Sequence, residues 1–93
     1  MAINKRELER YIDYNPNTGD FTWKYHWFNK KLKGKPAGHV SKHDKYQYIT
    51  LNYVKYKASD IAFILMGRPI PKKVIYIDND KSNNKWDNLM AYD

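Results

Sequence analysis

Turn-forming residues divide this chain into short segments, and no apolar stretch is long enough to span a bilayer. The densest turn signal is "NPNTG" at residues 15–19, and further breaks fall at Gly34, Pro36, Asn52, Gly67 and Pro69. Only short strands and short helices fit between breaks at these intervals. The chain must therefore build its fold from many small elements rather than from a few long ones.

Hydrophobic periodicity and capping residues predict the type of each element. Asn4 and Glu7 fit a capping box at the start of an amphipathic helix over residues 5–12. Alternation of aromatic or aliphatic residues with polar ones predicts strands at residues 20–25, 46–51, 53–58 and 74–77.

Two more helices are predicted in the second half of the chain. Ser59 fits the N-cap of a helix that Gly67 ends, and Trp86, Leu89 and Met90 have the spacing of a final helix of about two turns. The fold class predicted is α+β, in which a small N-terminal helix and an antiparallel hairpin sheet precede a strand and a terminal helix.

Length and residue usage restrict the kind of protein further. A chain of 93 residues has room for one domain with a modest core. It has no cysteine, so it forms neither disulfides nor thiolate metal sites, and it has only three histidines. The N-terminus becomes charged at once and has no apolar signal-peptide region, which predicts a cytoplasmic protein. With no apolar run long enough to span a bilayer, no membrane partner is predicted, and no cofactor is predicted either.

Positive charge is concentrated in the middle of the chain. Residues 24–57 contain nine lysines and one acidic residue, Asp44, whereas residues 74–93 contain two lysines and four aspartates, so the two segments carry +8 and −2. Aromatic residues lie between the lysines, and Trp27, which begins the lysine-rich loop at residues 26–36, is expected to be exposed. This combination favours contact with nucleic acid, although a solubilising surface over an aromatic core would give the same pattern. The predicted contact residues are Lys24, His26, Lys30, Lys31, Lys33, Lys35, His39, Lys42, Lys45, Lys55 and Lys57.

Four segments of the chain resemble, in order, the sequence pattern of the small HNH endonucleases of phages and homing elements. These segments are "YNPNTGDFTW", "GKPAGHV", "YQYITLNYVKYKASDIAFILMGRPIP" and "VIYIDNDKSNNKWDNLM". The resemblance covers nearly the whole chain and implies a single domain at residues 1–93. It also implies a basic sheet region at about 20–58 and a degenerate HNH-like ββα unit at about 59–93.

The residues that the family uses for cleavage are missing here. In active members an Asp binds the divalent metal and the next residue, a His, accepts a proton from the attacking water. The resemblance places Ile75 and Tyr76 at these positions, and of the motif only Asn88 remains. In the hairpin, Ser59 and Asp60 replace a His and an Arg, and the sequence stops at Asp93 before the position of the last metal ligand. The resemblance therefore implies a protein that does not cut DNA and holds no catalytic metal.

Three functions remain open at this point. The leading prediction is a phage-encoded protein that binds duplex DNA mainly through its backbone, since lysine contacts to phosphate read little sequence. The second is a phage-type interaction or inhibitor protein that uses the nuclease scaffold to bind a host protein. The third is a nickase with a metal site rebuilt around Asp78 and Asp80, although aspartates in such loops more often stabilise turns.

Overall fold

The computed structural model describes residues 3–26 and 28–92, so the exposure predicted for Trp27 lies outside the described residues. The chain forms, in order, α1 (Lys5–Tyr11), β1 (Ile12–Asn15), β2 (Asp20–Trp23), β3 (His39–Val40), β4 (Gln47–Leu51), β5 (Val54–Lys57), α2 (Ala58–Leu65), β6 (Lys73–Tyr76) and β7 (Leu89–Tyr92). Short 3-10 turns occur at Lys30–Leu32 and Trp86–Asn88. The α+β class predicted from the sequence is confirmed. In the described part of the chain, no helix has the length and hydropathy needed to cross a membrane.

The N-terminal helix begins where its capping signal places it. The Asn4 side chain accepts a hydrogen bond from the Glu7 backbone N–H at 2.8 Å, which satisfies one of the unpaired donors of the first turn. The helix ends one residue earlier than predicted, because Ile12 adopts an extended backbone and begins β1. This strand pairs with β2 across the turn at residues 16–19. This strand was missed: its first residue was assigned to the helix and its last to the turn, and no element was predicted between them.

The central sheet has the strand order β3-β4-β5, all antiparallel. Ile49 and Leu51 of β4 are buried and face the core, so Tyr48 and Thr50 lie on the outer face of the sheet. The β4 and β5 strands were predicted, whereas β3 was missed because two residues carry no periodicity.

Helix α2 packs against this sheet, but its cap differs from the prediction. The helix begins at Ala58, and its N-cap Lys57 makes no side-chain capping bond. Ser59 lies inside the first turn with 2% of its surface exposed, so it does not cap the helix. The end predicted at Gly67 is confirmed: Gly67 has φ +76°, and Arg68 N–H donates to the Phe63 carbonyl at 2.8 Å.

The predicted final helix is wrong. Residues 86–88 form a single 3-10 turn, and Leu89–Tyr92 is a strand that pairs antiparallel with β6. Leu89 is buried while Met90 is exposed, which is the alternation of a strand. Pairing with β6 satisfies the backbone of this segment, so long-range hydrogen bonds replace the helical ones that the spacing had indicated. The strand predicted at residues 74–77 is confirmed, shifted by one residue.

One hydrophobic core joins these elements. Its larger buried members come from both helices and from strands of all three sheets: Leu8, Ile12, Phe21, Trp23, Ile49, Leu51, Ile61, Phe63, Tyr76 and Leu89. Trp86 lies at the edge of the core with its ring centroid 4.8 Å from that of Phe63.

The loop that joins β6 to β7 is packed directly onto the turn between β1 and β2. Trp86 N–H donates to the Pro16 carbonyl at 2.9 Å, and the Tyr14 hydroxyl donates to the Asn84 carbonyl. Gly19 is buried beneath this loop with φ +81°, and a Cβ there would lie 2.5 Å from the Lys85 nitrogen. The approach of the two backbones therefore requires glycine at this position.

We predict that Gly19→Ala destabilises the domain by about 3 kcal/mol, from left-handed backbone strain and a steric clash with the main chain. Gly34→Ala is the matched control, because Gly34 has φ +80° but a Cβ there would have no neighbouring atom within 4 Å. Gly34→Ala should lower the free energy of unfolding only through backbone strain, by about 1 kcal/mol. Urea unfolding of both variants measures the difference. Equal losses would contradict the close packing of the loop on the turn.

Candidate nucleic-acid interface

Several of the predicted contact residues meet on the outer face of the central sheet. The strand register places His39 and Lys57 on either side of Tyr48, and Lys55 opposite Thr50. Because Tyr48 and Thr50 point away from the core, these neighbours share their face. The topology thus brings together three residues that are up to 18 positions apart in the chain.

A cleft of about 420 Å³ opens at the edge of this face, and we call it the tyrosine–lysine cleft. The start of α2 and strand β6 form its other walls. Its lysines and tyrosines are Lys55, Lys57, Lys72, Lys73, Tyr46, Tyr48, Tyr56 and Tyr76. Ser59 and Asp60 line its floor at the first turn of the helix.

Lysine ammonium groups lie over the tyrosine rings of the cleft. Lys57 Nζ is 4.1 Å from the Tyr46 ring centroid, and Lys55 Nζ is 4.4 Å from that of Tyr48. Lys81 Nζ, from the β6–β7 loop, also approaches Tyr46 at 4.9 Å. Such cation–π contacts attract the ammonium groups to the rings and hold their charge at the cleft.

The one acidic residue of the basic segment is bound within its own turn. The Tyr48 hydroxyl donates a hydrogen bond to the Asp44 carboxylate, which also accepts from the Tyr46 backbone N–H at 3.1 Å. The Tyr48 bond is the main reason that the pKa of Asp44 is lowered, and the same bond raises the pKa of Tyr48. Asp44 therefore stabilises the β3–β4 turn as a carboxylate and orients the Tyr48 ring.

Tyr76, which the sequence resemblance aligns with a catalytic histidine, lies at the inner wall of the cleft. Tyr76 is 7% exposed, and burial raises its pKa to about 12, against a smaller opposing effect of its hydrogen bond with Ser59. At neutral pH its hydroxyl holds its proton firmly and cannot act as a general base. Burial likewise raises the pKa of Asp60, while Lys57 opposes that shift.

Ile75, which the sequence resemblance aligns with a metal ligand, lies on the opposite face of β6 from Tyr76. Ile75 is next to Tyr76 on β6, is 37% exposed, and pairs with Met90 on the surface of the β6–β7 hairpin. Its side chain has no donor atom for a cation. Within residues 3–26 and 28–92, no cluster of three or more His, Asp or Glu side chains is arranged to hold a metal ion.

Asn88, which the sequence resemblance aligns with the middle Asn of the HNH motif, bonds to two parts of the β6–β7 loop. Its Oδ1 accepts from the Asp78 N–H at 3.0 Å, and its Nδ2 donates to Asp78 Oδ1 at 2.9 Å and to the Asn83 carbonyl at 3.0 Å. The Asp78 carboxylate also accepts hydrogen bonds from Asn83 Nδ2 and from the Asp80 N–H. These bonds lower the pKa of Asp78, and the bond from Asn83 has the largest effect. Both oxygens of Asp78 are thus engaged in turn hydrogen bonds.

The lysine-rich loop is a defined structure beside the sheet. The Asn29 side chain caps its 3-10 turn by accepting from Lys31 N–H at 3.1 Å. Gly34 N–H donates to the Trp23 carbonyl at 2.7 Å, and Trp23 N–H donates to the Lys35 carbonyl at 3.0 Å, so the loop is tied to β2. The exposed lysines of this loop are Lys30, Lys31, Lys33 and Lys35.

The other predicted contact residues are more dispersed. Lys24 is exposed just after β2, and Lys42 and Lys45 are exposed in the β3–β4 turn. His26 is half-buried, and its Nδ1 accepts from the Phe28 and Asn29 N–H groups at 3.2 and 2.9 Å. It therefore supports the start of the lysine-rich loop through that nitrogen.

Three further lysines belong to the site although the sequence did not predict them there: Lys72, Lys73 and Lys81. Lys72 and Lys73 lie at the start of β6, and their closeness to the Tyr76 position was a usable signal. Lys81 lies in the acidic segment at residues 74–93, but the loop folds back and places its ammonium group at Tyr46. No sequence pattern could have shown that contact.

No family model matches this chain, and no curated protein or solved structure matches it either. The likeness to HNH endonucleases therefore rests on the four sequence segments.

We predict that the raised pKa values of Tyr76 and Tyr14, both about 12 because of burial, appear in the alkaline stability of the domain. Between about pH 10 and 12 these tyrosines ionise in the unfolded chain but stay protonated in the fold, so the free energy of unfolding falls as pH rises. Tyr76→Phe and Tyr14→Phe should each make this fall less steep. Urea unfolding between about pH 9 and 11.5 tests this, and an unchanged slope in both variants would contradict it.

Proposed function

We propose that this protein binds duplex DNA through the phosphate backbone and does not cleave it. The observation that supports this most directly is the tyrosine–lysine cleft, where four lysines surround the position that the family uses for catalysis. Lysine ammonium groups attract phosphate as point charges, and three of the five lysines at or beside the cleft approach tyrosine rings that hold them in place. The cleft suits a phosphate group without the chemistry to attack it.

The wider distribution of charge supports the same proposal. The cleft, the outer face of the sheet and the lysine-rich loop all carry lysine, and the one acid of the basic segment, Asp44, is bonded within a turn. A polyanion that crosses these surfaces meets lysine at each of them. Because lysine reads phosphate rather than base edges, binding depends strongly on salt and weakly on sequence.

The absence of cleavage in this proposal follows from two side chains. Ile75 cannot bind a cation, and the Tyr76 hydroxyl, with its pKa raised to about 12, cannot take a proton from water at neutral pH. The resemblance to phage enzymes further supports an origin in a phage genome and action in the cytoplasm of the host.

A second candidate function, binding to a host protein, is favoured by a different surface. The outer side of the β6–β7 hairpin exposes Ile75, Ile77, Met90 and Tyr92, with 37%, 57%, 49% and 60% of their surfaces accessible. Neighbouring apolar side chains exposed on one face are typical of protein interaction sites. Ile75→Ser with Met90→Ser should abolish such an interaction and, because it changes no charge, leave DNA binding unchanged.

We predict that changing Lys30, Lys31, Lys33 and Lys35 together to alanine weakens duplex binding and flattens its salt dependence. The slope of log Kd against log salt should fall by about 0.9 for each lysine that binds a phosphate in the parent protein. The weakening should be similar for unrelated duplex sequences, because contacts to phosphate carry little sequence information. Fluorescence anisotropy with labelled duplexes at several salt concentrations measures both quantities.

The matched control removes four cations that lie outside the basic middle segment. Lys5, Arg6 and Arg10 on α1 and Arg68 after α2 are exposed, and α1 also carries Glu7 and Glu9. Alanine at these four positions changes the net charge by the same amount but should change the slope little. Equal effects of the two quadruple variants would mean that binding follows net charge alone, against the proposed interface.

We also predict that the purified protein leaves supercoiled plasmid intact in Mg²⁺ or Mn²⁺, since Ile75 and Tyr76 replace the ligand and the base. Agarose electrophoresis after long incubation is the measurement. Metal-dependent nicking that Asp78→Asn or Asp80→Asn removes would instead establish a rebuilt nuclease site in the β6–β7 loop.

A further inference from the structure

Tyr53 occupies a turn position that disfavours it. The β4–β5 hairpin has a two-residue turn, Asn52 and Tyr53, flanked by the pair Leu51 and Val54. Both turn residues have positive φ, +49° and +66°, as in a type I′ turn, where Asn followed by Gly is preferred. Asn52 fits this preference, whereas a tyrosine at the second position strains the backbone.

The Tyr53 side chain makes little contact with the rest of the fold that would offset this strain. It is 91% exposed, more than any other large hydrophobic residue described. A strained backbone under an exposed aromatic ring does not serve the stability of the domain. Strain of this kind is concentrated at sites of function.

A second exposed aromatic ring, that of Phe28, lines the same pocket as Tyr53. Phe28 is 83% exposed, and its backbone is fixed by the hydrogen bond that its N–H donates to His26 Nδ1. Phe28 and Tyr53 border a pocket of about 510 Å³, the aromatic pocket, whose floor includes Trp23, His39 and Thr50. Its volume is within the range of roughly 300–1,000 Å³ typical of sites for small organic ligands.

Charge around the aromatic pocket indicates what enters it. Among the described residues that line it, none is acidic and two are histidines. Lys55 pairs with the lining residue Thr50, and Lys24 and Lys30 lie in the segments that carry Trp23 and Phe28. The occupant must therefore combine a planar apolar face with negative charge beside it, which is the chemistry of a nucleotide within a strand.

The aromatic pocket also adjoins the tyrosine–lysine cleft. Tyr48 lines the cleft and Thr50 lines the pocket, and these residues are two positions apart on the same face of β4, or about 7 Å. Lys55 lines the cleft and lies opposite Thr50. A strand whose phosphates lie along the cleft thus passes the mouth of the pocket.

We propose that the aromatic pocket binds an unpaired base of DNA, which stacks against Tyr53 and Phe28 while the neighbouring phosphates contact the lysines. The Thr50 hydroxyl and the His39 ring are the polar groups placed to meet the edge of the base. This inference rests on the proposed DNA binding and extends it: the protein prefers duplexes with an extrahelical base over fully paired ones. Every base has a stacking face, so the preference is for structure and not for sequence.

The test compares two short duplexes that differ only by one extrahelical 2-aminopurine, a fluorescent base that is quenched when it stacks. The protein should bind the bulged duplex about tenfold more tightly than the paired one, as expected for one stacked base. Binding should also quench the probe. Tyr53→Gly and Phe28→Ala should each remove most of this preference and of the quenching while leaving the affinity for the paired duplex unchanged.

Two controls separate stacking from other effects. Tyr53→Gly restores the residue that the turn prefers, so its urea unfolding midpoint should be no lower than that of the parent and misfolding cannot explain its effect on binding. Tyr92→Ala removes an exposed ring from β7, outside the pocket, and should keep the preference.

The possible results distinguish this inference from the proposed function. Equal affinity for the bulged and paired duplexes, with salt-dependent binding of both, would overturn the pocket inference and leave backbone binding intact. Failure to bind either duplex would overturn both. A preference that survives in Tyr53→Gly and Phe28→Ala would also overturn the inference, because the base would then be bound elsewhere.

Discussion

The packing of the β6–β7 loop against the first hairpin and the central sheet is the interaction on which the rest of the molecule depends. Asn84, 1% exposed, donates from Nδ2 to Gln47 Oε1 at 2.8 Å, while its carbonyl accepts from the Tyr14 hydroxyl. Gln47 in turn donates to the Ala37 carbonyl at 3.3 Å. Across the described residues the three sheets form no shared ladder, so these hydrogen bonds help to fix them relative to one another and give the cleft its shape.

Local signals in the sequence were sufficient for six of the nine helices and strands described. The cap of α1 at Asn4, the turn before β2 and the end of α2 at Gly67 were all predicted, because each of these features is decided by neighbours in the chain. Strand β1 was missed because the predicted helix extended into Ile12, β3 because two residues carry no periodicity, and β7 because it forms through pairing with β6 across a long loop. The last of these shows the conflict most clearly: the spacing of Trp86 and Leu89 fits a helix, but pairing with β6 determines the structure.

The sequence indicated that the candidate site is positively charged, but not which residues line it. Lysine density in the middle segment indicated an anionic partner, yet the cleft also takes Lys72, Lys73 and Lys81 from outside that segment. Composition cannot show which cations converge, because convergence depends on sheet order and on where the β6–β7 loop returns. The burial that raises the pKa of Tyr76 depends on tertiary packing in the same way.

The proposal that the protein binds DNA without cleaving it depends on how side chains alternate along β6. Adjacent strand residues point to opposite faces, so Tyr76 turns toward the core and the cleft while Ile75 turns toward solvent. In the proposed function, no metal ion offsets the negative charge of the phosphate. The lysines at the cleft supply positive charge instead. Because Lys55 and Lys57 already lie over tyrosine rings, their side chains lose less conformational entropy when they bind an anion. Such a scaffold would keep its attraction for the DNA backbone without the groups that the family uses for hydrolysis.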